Sequence, residues 1–436
     1  MARATTDDDG VANPAPVSGE ALLAEGESAL KAGDTARAFE LLSTATQVGV
    51  EPANLHQLAS AYALAGRFQT RHAEVLDWIE RAITEHGGDA QQRVGLLRAR
   101  VAVCRQLDLA RVLELAEEAL RAAQDAGDEE SYASVLSHAA FAGYRRGDAR
   151  AAQDYAERAA TTTFTSGAAH YDAVRAQMFC ATSLGDLEAA LNFAIKARAM
   201  AREQGRLADV ANESNNLAEA YLELGDPTAA HACALAAIDF AHRAGHRSVE
   251  GFAYVLAAMA TAERGDIDSA LEQLDNIGSL AANRIFVVDA SAAHAFWLLE
   301  RGAGGDAAQA RQIAEGALAA AKRAGVSNRM TGLYSNIARA MSREGRAVEA
   351  RAALEQARKA ADRGEPIAQA LLTLAVAEVL PVSAPKRKVA LQNARARILR
   401  AASRREDPRA YCTRIRVHRR ILELSGGVPD DLPHAS

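Results

Sequence analysis

Apolar and small residues recur along this chain at helical spacing, in pairs of segments joined by short polar turns. The first segment of each pair is apolar-periodic up to a glycine, and the second carries small residues at a fixed offset behind it. Gly225 is followed by Ala230, Ala234 and Ala237, Gly185 by Ala190, Ala194 and Ala197, and Gly33 by Ala38, Leu42 and Ala45. Residues three and four apart share a helix face, and a face of small residues lets a neighbouring helix approach closely. Strand-favouring Val, Ile, Thr and aromatic residues are sparse and scattered. The pattern predicts an all-α chain of helical hairpins.

A Gly-Asp or Gly-Arg dipeptide punctuates these pairs at Gly33, Gly66, Gly147, Gly185, Gly225, Gly265 and Gly345. Glycine ends one helix in the left-handed conformation and the following Asp caps the next, a role that Arg cannot take. From Gly66 onward the steps are close to forty residues or twice that, with Leu107-Asp108 and the run Gly302-Ala303-Gly304-Gly305 standing where the missing turns fall. Such a period marks stacked repeats, each burying its apolar face only against its neighbours.

The segment NNLAEAYLELGDPTAAHACALAAIDFA, residues 215–241, resembles a tetratricopeptide repeat, with Leu217, Ala218, Tyr221, Gly225, Ala230 and Ala237 at the family's positions. A second match begins at Ser335, with Met341 in place of the tyrosine. The forty-residue spacing is similar to that of the longer-helix subgroup, which includes kinesin light chain and the sensor domain of maltose-type activators. The resemblance spans roughly residues 19–380. It implies a right-handed α-solenoid of about nine to ten hairpins whose first helices line a concave groove.

Projected onto that groove, the inward positions are Phe141, Tyr144, Asp172, Arg175, Phe179, Asn212, Asn215, Glu219, Phe252, Met259, Asp289 and Phe296. An aromatic stripe with polar contacts suits an extended peptide or an amphipathic helix of a partner protein. The same phenylalanines also fit packing against adjacent hairpins. Asn216 and Asn336 share one place in their repeats, where the resemblance implies either a bond to a ligand or a bond to the next hairpin. The leading expectation is therefore a protein-binding scaffold or adaptor. A sensor of a small molecule or signalling peptide is the alternative that the maltose-activator likeness implies.

Composition adds one further feature. The chain of 436 residues is 49% hydrophobic but only 5% aromatic, with a formal charge of −6. Between Lys386 and Arg420, however, thirteen basic residues face two acidic ones, a local +11 that leaves −17 for the remainder. This stretch, including Lys386, Arg387, Lys388, Arg395, Arg404, Arg405, Arg416, Arg419 and Arg420, is expected to cap the solenoid or to offer a basic surface. As a surface it would dock an acidic protein, the acidic body of a second copy, or nucleic acid. The last is disfavoured because Tyr411 alone supplies an aromatic for base stacking.

The remaining chemistry is sparse. The four cysteines, Cys104, Cys180, Cys233 and Cys412, form no CxxC pair, which fits a reducing cytoplasm. His242 and His246 have a metal-ligand spacing but straddle the helix-ending Gly245, and the glycine run at 302–305 lacks the Lys-Ser/Thr of a phosphate loop. No metal, cofactor or enzyme is expected. The segment 1–18 reads as an acidic disordered tail without the apolar stretch of a signal peptide, 19–380 as the solenoid, 381–425 as the basic cap and 426–436 as a second tail. No apolar run is long enough to span a membrane.

Overall fold

The computed structural model describes residues 17–86, 89–277, 284–361, 366–405, 407–430 and 432. They form α-helices in antiparallel pairs. The first pairs are α1 (Gly19–Ala32) with α2 (Thr35–Val48), α3 (Leu55–Gln69) with α4 (His72–His86), and α5 (Ala90–Leu107) with α6 (Leu109–Ala126). Then come α7 (Glu129–Arg145) with α8 (Ala149–Thr161), α9 (Gly167–Leu184) with α10 (Leu187–Glu203), and α11 (Leu207–Leu224) with α12 (Pro227–Arg243). The series continues through α13 (Arg247–Glu263) with α14 (Ile267–Asn276), α15 (Arg284–Arg301) with α16 (Asp306–Ala324), and α17 (Met330–Arg343) with α18 (Ala347–Ala360). It closes with α19 (Pro366–Val379), α20 (Pro385–Ala402), and the short α21 (Pro408–Thr413) and α22 (Arg416–Leu424). The described residues contain no strand, and the protein is an all-α solenoid of about ten hairpins.

The turns follow the chemistry expected of them. Gly33, Gly185 and Gly225 adopt φ of 81°, 74° and 81°, and Asp34, Asp186 and Asp226 accept hydrogen bonds from the backbone N–H three residues on. Arg346 makes no such cap. Asp108 caps α6 without a glycine before it, accepting from Ala110 and Arg111. Gly66 departs from expectation: it lies inside α3, which runs to Gln69, and the left-handed residue is Thr70. The Val75 side chain occupies the space that a Cβ at Gly66 would need, with Cγ2 only 2.4 Å away. This glycine therefore permits helix contact rather than a turn.

The alanines at fixed offsets fill the helix interfaces. Ala190, Ala194, Ala197, Ala230, Ala234 and Ala237 are all buried. Odd-numbered helices also pack on the next odd-numbered helix, from α1 through α9 and from α11 through α19, forming the inner layer. Tyr171 and Arg175 of α9 bridge the two series by bonding Glu213 of α11 at 2.8 and 2.9 Å.

The superhelix returns onto itself. Thr35 donates to the Gly245 carbonyl across 210 residues of sequence, Arg67 to Asn212 across 145, and Arg145 to Asp289 across 144. Further along, Arg405 of the C-terminal segment pairs with Glu188, and Gly225 lies against the Tyr411 backbone. Each turn of the superhelix thus rests on the previous one, and the concave face becomes an interior.

The basic segment belongs to this packing. Leu391, Ile398, Tyr411, Ile415, Ile421 and Leu422 form a buried cluster with Ala370, Leu374 and Ala377 of α19. Arg416 reaches Glu300 at 2.7 Å, Arg387 donates to the Ala377 carbonyl, Arg395 to that of Gly427, and Arg420 pairs with Glu423. Arg419 is half-buried, and Lys386, Lys388 and Arg404 are exposed. α20 to α22 thus form a basic helical cap, with part of its charge turned toward solvent.

Candidate functional site

The interior holds an apolar opening where α11, α13, α15, α17 and α19 converge and α22 closes the end. This cleft encloses about 1100 Å³ including its mouth. Its apolar lining includes Leu222, Phe252, Met259, Phe296, Trp297 and Leu371, with Ile415 and Val417 contributed by the C-terminal segment. Trp297 is buried and its indole N–H has no partner among the described residues; the side-chain oxygen of Asn336 is likewise unpartnered. Asn336 spends its amide on a long 3.4 Å bond to the Ala292 carbonyl of α15, in the preceding hairpin rather than the next. Asn216 instead donates to Glu213 at 2.7 Å.

Charge in the cleft is mainly negative. Glu219, Glu223, Glu263 and Asp289 line it against the single guanidinium of Arg329. Arg329 pairs with Glu219 at 2.7 Å and Asp289 at 2.8 Å, and Asp289 also accepts from Arg145 at 3.0 Å. Burial works to raise the Asp289 carboxyl, but these two arginines hold it below its ordinary value. Glu263 has no such neighbour in close contact: burial pushes it up to about 8, opposed by the N–H of Arg416 that donates to it at 2.8 Å. A group that titrates near neutrality therefore faces an apolar cleft.

Of the inward positions read from the sequence, Glu219, Phe252, Met259, Asp289 and Phe296 converge on this cleft. Tyr144 and Phe179 line a narrow neighbouring pocket that shares Glu219 and Glu223 with it, and Phe141 packs on both rings at 6.5 and 5.1 Å. Asp172 and Arg175 instead pair with each other at 3.3 Å within the Glu213 network. Asn212 accepts from Arg67, and Asn215 donates to the Val249 carbonyl at 3.0 Å. These four are spent on contacts between helices.

Sequence reasoning missed Glu263, Trp297, Arg329 and the Ile415–Val417 wall. It also missed a second opening, between α3, α4, α5 and α7, which carries Arg67, Arg98 and Arg105. The paired histidines diverge: His246 is buried edge-on against Phe68 at 4.6 Å, while exposed His242 meets Glu250 at 3.3 Å. Among the described residues no three His, Cys, Asp or Glu side chains gather as metal ligands, all four cysteines are free, and no helix is long and apolar enough to cross a membrane.

No family model and no curated protein matches the sequence. Solved structures do match in shape. The APC/C hetero-tetramer Cut9–Hcn1 is 12% identical, covering 95% of this chain and 78% of the other, with a TM-score of 0.52. A Rap protein complexed with competence and sporulation factor is 11% identical over 93% and 97% of the two chains, TM-score 0.48. NprR in complex with its cognate peptide NprX is 15% identical over 73% and 98%, TM-score 0.48. At 12% identity the likeness to the Cut9–Hcn1 structure is one of fold, that of an all-α superhelix of helical hairpins.

Proposed function

We propose that this protein is a binding protein whose inner cleft takes a short apolar segment of a partner protein or a peptide, one that carries a cationic group. The observation that carries this reading is the cleft itself. Its apolar walls surround a volume suited to several side chains, and four carboxyl groups line it beside one guanidinium. Phe252, Met259 and Phe296 are partly open side chains at helical spacing on adjacent inner helices, the arrangement that anchors a bound peptide. The partner's cation would meet Glu263, whose carboxyl gives up its proton as the cation pairs with it, since Glu219 and Asp289 are held by Arg329. In this reading residues 19–380 form the binding array and 381–425 its cap.

A sensing role gains support from one feature: Ile415 and Val417 of the C-terminal segment are part of the cleft wall. An occupant would touch both the array and its cap, so that binding and the position of the cap are linked.

Selection of short peptides from a displayed library on the full chain tests the proposal. Apolar peptides with Lys or Arg should be enriched, and should bind the Phe252→Ala/Met259→Ala double variant much more weakly. Enrichment of peptides that bind both proteins equally would remove the cleft from the account.

A further inference from the structure

The second opening lies in the N-terminal half and differs in chemistry from the cleft. It encloses about 730 Å³ including its mouth, and its polar lining comprises Ser60 and Arg67 of α3, His72 of α4, Arg98, Arg105 and Gln106 of α5, and Ser134 and His138 of α7. Arg98 and Arg105 are seven residues apart, two helical turns, and so share the inner face of α5. The opening contains no described carboxylate.

None of its three guanidiniums forms an ion pair with a described residue. Arg67 donates to Asn212 at 3.2 Å, Arg98 to Ser60 at 2.8 Å, and Arg105 meets the His138 ring nitrogen at 3.1 Å. Arg105 is only 8% exposed, lies 4.2 Å over the Phe141 ring, and its Nε has no partner. The carboxylates that act on Arg67 from a distance, Asp209 and Glu213, are already paired with Arg206 and Arg175. The histidines add donors rather than charge, because burial and then the adjoining arginines push His72 down to about 4 and His138 well below its ordinary value.

Buried arginine without an anion is costly, and guanidinium forks match the oxygens of phosphate and carboxylate. We infer that this cavity is a binding site for a small, multiply charged oxyanion, a phosphate or a polycarboxylate, distinct from the peptide cleft and unoccupied by any described residue of the chain. The three guanidiniums supply the counter-charge, and Ser134 and the histidines complete the donor set. Ser60, Leu64 and Arg98 also line an adjoining surface hollow with Glu27 and Lys31.

The test is thermal unfolding and calorimetric titration of the full chain in Tris chloride, adding inorganic phosphate or citrate against sodium chloride at equal ionic strength. The expected result is saturable stabilisation by at least one of the two anions. Its apparent Kd should be weakened by about tenfold or more in Arg98→Gln and in Arg105→Met, and unchanged in Lys388→Gln. Stabilisation by phosphate alone identifies a phosphoryl ligand, and by citrate alone a polycarboxylate. In the absence of anion, Arg105→Met should melt no lower than the wild type, because it keeps the packing stem and loses an uncompensated charge. Absence of saturable stabilisation by both anions, equal stabilisation of all variants, or a large loss of stability in anion-free Arg105→Met would overturn the inference.

Discussion

Arg339 on α17 and Arg105 on α5 are both buried on inner helices, yet their surroundings differ. Arg339 is fully enclosed and donates to Glu300 and Glu378 at 2.7 and 2.8 Å; Glu300 in turn receives Arg416 from the cap. Arg105 has a histidine, an aromatic face and two neighbouring arginines. In the C-terminal half Arg329 and Arg339 are each matched by carboxylates, and carboxyl groups outnumber guanidiniums around an apolar cleft. In the N-terminal half the surplus is cationic, around the cavity lined by Arg67, Arg98 and Arg105. A buried ion network that closes upon itself serves the fold, whereas a buried charge left open points outward from the fold to a ligand.

The largest expected effect separates these two arginines. Arg339→Met should cost about 3–5 kcal/mol, because it removes the buried cation shared by Glu300 and Glu378 and leaves each only its more exposed partner, Arg416 or Arg343; Arg105→Met should cost little or nothing in anion-free solution. Equal losses in chemical denaturation would erase the distinction between the halves. Next in size is the cleft: the Phe252→Ala/Met259→Ala variant should weaken a selected peptide by about 2–4 kcal/mol, measured by calorimetry, while leaving the phosphate or citrate response of the N-terminal cavity intact.

Glu263 sharpens the comparison through pH. Its folded-state value of about 8 lies above its ordinary 4.5, so the stability gained from burying it neutral is complete below about pH 4.5 and lost as pH rises through about 8. Glu263→Gln should therefore match the wild type at low pH and exceed it by about 1–3 kcal/mol at pH 9, a figure reduced for the solvent that reaches this half-buried group. Parallel melting curves across that range would show that the carboxyl does not titrate as its burial requires. Smallest of all, replacing exposed Lys386, Lys388 and Arg404 by Gln should change stability by less than about 0.5 kcal/mol. A larger loss would mean that these charges, and not only the buried face of α20 to α22, hold the cap.

Much of the fold was legible in the sequence because its signals are local. Glycine with a following Asp marks a hairpin turn wherever φ must be positive, as at Gly33, Gly185 and Gly225, and the alanine offsets mark the buried face. Gly66 misled for a physical reason: a glycine that makes room for Val75 leaves the same letter in the sequence as one that reverses the chain. The cleft was legible only in part. Phe252, Met259 and Phe296 share inner positions that the repeat period supplies, but Ile415 and Val417 reach the cleft through the return of the superhelix, a contact between distant segments that no period encodes. The arginines of the N-terminal cavity were hidden by the ordinary rule that charged helix positions face solvent. The seven-residue step from Arg98 to Arg105 was the one available sign, and it acquires meaning only when α3 and α7 enclose it.

The central claim, that the cleft between α11, α13, α15, α17 and α19 receives an apolar peptide with a basic group, is most directly tested by photo-crosslinking. A benzoylphenylalanine placed at Phe252, and in a separate protein at exposed Leu235 on α12, would be irradiated with a peptide from the library selection. The account expects crosslinks from position 252, competed by unlabelled peptide, and none from position 235. Crosslinking from position 235 alone, or equally from both, would place the peptide on the outer surface and contradict it.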